Sequence, residues 1–130
     1  MAPSRSPFAY AVLRVVPDIE REEFLNVGLV LFCRERRYLR ASTALDESRL
    51  RAVTPRADAD ALRNQLLLVE RIAAGEVERG PLSTMSQSER FHWLTTPRST
   101  AVQPGPTHGG MSDDPEATFT SLFDTLVAGS

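Results

Sequence analysis

Arg21-x-Glu23-x-x-Asn26-x-Gly28 gathers a guanidinium, a carboxylate, an amide and a glycine where a polar stretch turns into an apolar run. Guanidinium groups bond carboxylates and phosphates through two parallel N–H donors, so with Arg98-Ser99-Thr100 this set has the chemistry to hold a phosphorylated or otherwise anionic substrate. Glu23 is then the candidate acid or base. Joined by Arg14, the same groups make a fixed ion-pair lock instead, and the residues leave lock and pocket both open. Asn26 can bond a loop backbone with donor and acceptor together, and Gly28 inside an apolar run marks a place where a backbone or ligand comes close.

A second group is Arg34, Arg36, Arg37 and Arg40, crowded into seven residues around Tyr38. At a hairpin tip such a run is more commonly a solvated turn, and it is also the chain's best candidate contact surface for an acidic partner or for nucleic acid. Glu35 dilutes it, and Tyr38 is its only aromatic, which ranks nucleic acid behind a protein partner. Other chemistry finds little support. The chain has no Lys, which excludes Schiff-base catalysis, and Gly75-x-x-x-x-Gly80-Pro81 lacks the Lys of a phosphate-binding loop. Cys33 ends an apolar run, whereas a nucleophilic thiol needs exposure and positive neighbours, so pairing it with His92 or His108 is not favoured. His108 with Asp113 or Asp114 lacks the tight spacing of a metal site. No cofactor and no metal are expected.

These side chains need elements to hold them. Phe8 to Val16 alternates as a strand, and Leu25 to Cys33 is apolar on both faces, as befits a central strand covered twice. Arg34 to Arg37 forms the turn into a third strand, Tyr38 to Ala44. Thereafter the period changes. Asp46 caps a short helix through Ala52; Asp58 or Asp60 starts the next, in which Leu62, Leu66, Val69 and Ala73 repeat at helical spacing up to Gly75. Ser86-x-x-Glu89 reads as a capping box before Phe91 and Leu94, with Phe91 and Trp93 in a satellite of the core. Asp114-Pro115 opens a last helix with Phe119, Leu122, Phe123, Leu126 and Val127 on one stripe. Residues 99–113 read as a long loop, in which Thr100 to Gln103 is a candidate extra strand.

The expected fold is α+β, with a small, mainly antiparallel sheet of three or four strands packed against two longer helices and one or two short ones. With 130 residues, 42% of them hydrophobic, the chain suits one domain over 1–130, with a flexible segment at 1–7. All 15 basic residues are Arg against 17 acids, for a net charge of −2. Ten of the Arg precede residue 57 and none follows Arg98, so the chain is basic at one end and acidic at the other. The halves either pair internally or leave a basic face free. One Cys, no signal-like apolar N-terminus and no run of about 20 apolar residues point to a cytoplasmic, non-membrane protein.

Arg21-x-Glu23-x-x-Asn26-Val27-Gly28-Leu29-Val30-Leu31-Phe32, preceded by Leu13-Arg14-Val15-Val16-Pro17, resembles the bacterial family known as domain of unknown function 3037. The likeness continues at Pro97-Arg98-Ser99-Thr100, Gln103-Pro104 and Leu122-Phe123-x-x-Leu126-Val127. That resemblance implies a stand-alone bacterial module and, through neighbouring genes, a kinase-like protein partner. The expected function is a non-catalytic binding or partner module. The alternatives are an enzyme or ligand-binding protein with an Arg21, Glu23, Asn26 and Arg98 pocket for an anionic substrate, and a nucleic-acid binder acting through Arg34 to Arg40.

Overall fold

The computed structural model describes residues 4–18, 23–98 and 100–128. β1 (Ser6–Asp18), β2 (Glu23–Cys33) and β3 (Tyr38–Thr43) form a meander. They are followed by α1 (Glu47–Val53), α2 (Ala59–Ala74), a 3-10 turn (Pro81–Thr84) and α3 (Gln87–Leu94). Then come β4 (Val102–Pro104), β5 (His108–Ser112) and α4 (Pro115–Phe123), which widens into a π-helical turn over Asp124–Ala128. The sheet runs β3-β2-β1-β4, with β5 also on the outer side of β1, and all its pairings are antiparallel. The fold is α+β, with five strands where three or four were expected.

Period-two alternation splits the sheet into two apolar faces. Leu13, Val15, Val30, Leu39 and Ala41 meet α1, α2 and α3 through Leu50, Leu62, Leu66, Val69, Ile72 and Leu94. Val12, Leu29 and Leu31 point the other way and meet Phe119 and Val127, flanked by Leu122, Phe123 and Leu126. β2 is therefore buried on both faces, as its unbroken apolar run requires. Gly28 lies at the crowded centre. A Cβ there would stand 3.0 Å from the Ser42 carbonyl oxygen and 3.1 Å from Thr43 Cγ2. One residue on, the β1–β2 register shifts so that Leu13 faces Gly28 while Arg14 faces Asn26, leaving Val27 as a bulge.

Each helix starts where its cap stands. Asp46, Asp58 and Asp114 accept backbone N–H groups of the first turns, and Ser86 with Glu89 forms the reciprocal capping box. Gly75 stops α2 at φ 75°, a left-handed value that suits glycine.

One expectation needs correction. Residues 99–113 are not one long loop, because β4 and β5 extend the sheet along β1. Within β5 a Cβ on Gly110 would stand 2.7 Å from Phe8 Cζ, so a larger residue there would have to move that ring aside. Of the segment 1–7 expected to be flexible, residues 1–3 lie outside the described residues, and Ser6 and Pro7 belong to β1. Arg36 Nη2 donates to the Ser4 carbonyl at 2.6 Å, and its Nε donates to Ser6 Oγ at 3.2 Å.

Candidate functional site

Two of the four guanidinium groups of the Arg-rich hairpin, those of Arg36 and Arg40, are bonded to the fold, while all four residues stay exposed. Cys33 and Tyr38 close its ladder, and Arg37 takes the left-handed turn position at φ 51°, its carbonyl accepting from Gln87 Nε2 at 2.9 Å. Arg36 is held by Ser4 and Ser6, as described above. Arg40 leaves the tip altogether. Its guanidinium pairs with Glu116 on α4 and lies 4.7 Å over the Phe119 ring, joining the basic half of the chain to its acidic end. Tyr38 donates to the other Glu116 oxygen at 2.7 Å; burial and that carboxylate raise its phenol well above the ordinary range. Arg34 is exposed at the turn.

The residues Arg21, Glu23, Asn26 and Arg98 are not brought together by the described contacts. Arg21 lies outside the described residues, as do Ser99 and the side chain of Glu23. Asn26 donates through Nδ2 to the Leu126 carbonyl at 3.0 Å, on the α4 side of the sheet, and its Oδ1 is buried without a partner. Arg14, its neighbour across the ladder, lies over the Phe24 ring at 4.2 Å with its Nε buried and unbonded. Arg98 sits instead among α2 and α3. Its guanidinium stacks 3.7 Å over the indole of Trp93 and donates to the Trp93 carbonyl at 2.8 Å.

A further feature lies where no motif pointed, along the outer edge of β3. Thr43 N–H and Oγ1 both donate to Glu70 Oε1 of α2, at 2.9 and 2.8 Å, while Ala44 N–H turns inward to the Val27 carbonyl. In an antiparallel ladder, inward and outward backbone groups alternate, so the N–H and C=O of Leu39 and Ala41 also face outward. They open on a groove of about 350 Å³ between β3 and α2, lined by Leu39, Ala41, Leu67, Glu70, Arg71 and Ala74. Leu67 is 55% exposed there. The signal in the sequence was slight: Leu67 stands off the buried stripe of its helix.

Among the described residues no group of three His, Cys, Asp or Glu is placed to hold a metal, and no helix is long and apolar enough to cross a membrane. No curated protein and no solved structure gives a significant match to the chain. The family model described as "protein of unknown function (DUF3037)" matches residues 10–127, from the middle of β1 to the last helical turn, and so the chain belongs to that family.

Proposed function

We propose that the protein is a binding module that takes up an extended segment of a protein partner as an added strand along β3. The observation that carries this reading is the open edge, where outward backbone groups of Leu39 and Ala41 face a groove roofed by α2. A peptide laid there exchanges main-chain hydrogen bonds with the edge and places alternate side chains beside Leu39, Ala41 and Leu67. Exposed edges are ordinarily blunted by prolines, bulges or shortness. The opposite edge is blunted in this way, since β4 has three residues ending in Pro104, and β5 is a separate strand of five with two glycines. β3 is six unbroken residues free of Pro and Gly.

A random linear peptide library selected against the immobilised chain is expected to return extended sequences with alternating apolar residues. Their affinity, read by fluorescence anisotropy, should fall with Ala41→Pro, which removes an N–H that β2 does not use, and with Leu67→Glu in the groove. Circular dichroism should be unchanged in both variants. Peptides that bind the variants as well as the parent chain would sink the reading. So would a dimer, detected by sedimentation, that Ala41→Pro converts to monomer, because a second copy would then occupy the edge.

A further inference from the structure

On the opposite flank of α2, two cavities meet at Arg98 and Trp93. The larger, about 550 Å³, is lined by Met85, Ser88, Glu89, His92, Trp93, Thr96 and Arg98. The smaller, about 90 Å³, lies behind the same pair against Gln65, Leu68, Val69 and Ile72. We propose that this crevice binds a small aromatic carboxylate, its ring against Trp93 and its carboxylate on the free edge of Arg98.

Arg98 is prepared for that role by its surroundings. Gln103 clamps its backbone from both sides, Oε1 accepting from Arg98 N–H at 3.1 Å and Nε2 donating to the Arg98 and Thr100 carbonyls. Its guanidinium is oriented by the indole and by the bond from Nη1 to the Trp93 carbonyl. Nε and Nη2 take no part in the described bonds, and these two donors form the edge that receives a carboxylate in bidentate fashion. No described carboxylate balances the charge. The nearest acid lining the cavity, Glu89, is turned away to the Ser86 N–H at 3.1 Å by the capping box. The described ion pairs engage Arg40, Arg51 and Arg63 instead.

The other walls select the body of the ligand. Met85 and Trp93 give apolar surface, and the larger cavity has the size of pockets that enclose small organic molecules. At the rear, Gln65 Oε1 is buried without a donor, so a ring bearing a hydroxyl or N–H that reaches the smaller cavity would satisfy it.

Trp93 is the only tryptophan, so its indole N–H gives one resonance that reports on this crevice alone. Titrated with 1-naphthoate, that resonance is expected to shift saturably, and with the neutral isostere 1-naphthamide to show a Kd about tenfold weaker or more. Arg98→Gln should abolish the difference between the two probes. Equal affinity of naphthoate and naphthamide for the parent chain would overturn the proposal without relying on any variant. Absence of a saturable shift would do the same, as would inorganic phosphate shifting the resonance as strongly as naphthoate. None of these outcomes touches the β3 edge, so the two sites are tested separately.

Discussion

Glu116 shows how much one exposed carboxylate can organise when the chain folds two distant segments around it. It receives Tyr38 and Arg40 from β3, and Arg40 in turn lies over Phe119. Because Arg40 and Glu116 are both about half exposed, Glu116→Gln is expected to cost only about 0.5–1 kcal/mol, measured by urea unfolding at neutral pH. Its sharper effect falls on Tyr38. A phenol raised by burial and by Glu116 keeps its proton longer in the folded chain, so its stabilising contribution is whole below the ordinary phenol value of about 10 and is lost as the pH climbs beyond it. In the variant, one of the two tyrosine transitions followed by phenolate absorbance should move down toward that ordinary value; an unmoved pair would refute the link. Tyr38 and Arg40 stand two residues apart on one strand and so share a face, but nothing local announces that both reach a residue more than seventy positions away.

At the scale of elements, what could be read early was whatever depends on neighbours in sequence. Asp46, Asp58, Ser86 with Glu89, and Asp114 stand at the helix starts because a cap is a bond across two or three residues. Ser86→Ala is expected to lower stability by about 1 kcal/mol in thermal or urea unfolding, since it strips one acceptor from the start of α3. The bonds from the Ser86 backbone and side chain hold the Glu89 carboxyl below its usual range. The contribution of the box is therefore present above the ordinary carboxylate value and lost as the pH falls through the lowered one. β4 was half legible, since Thr100 to Gln103 stood as a candidate strand, and β5 escaped that kind of reading altogether. Three residues ending in proline, and a strand with two glycines, carry no alternation of their own, and only the ladder offered by β1 makes them strands.

At the scale of the whole molecule, the sheet carries helices on both faces, and α4 covers one of them. Phe119, 2% exposed, closes that layer over Val12, Leu29 and Leu31, so Phe119→Ala is expected to cost about 3–5 kcal/mol in urea unfolding, and a loss below about 1 kcal/mol would contradict the layering. The sequence by itself determined the α+β class, the three-strand meander, the doubly buried β2, the helix caps and the stripe of α4, because periodicity and caps are local consequences of backbone geometry. Only the tertiary structure decided which polar groups meet. It turned Asn26 toward Leu126 and stacked Arg98 on Trp93, where sequence had grouped the two with Arg21 and Glu23. It also set α2 beside β3 so that Leu39 and Ala41 face a groove. The physical reason is common to these cases. A side chain's partner across the sheet depends on strand order and register, and a backbone group is free or paired according to whether another strand lies beside it, which no window of sequence contains.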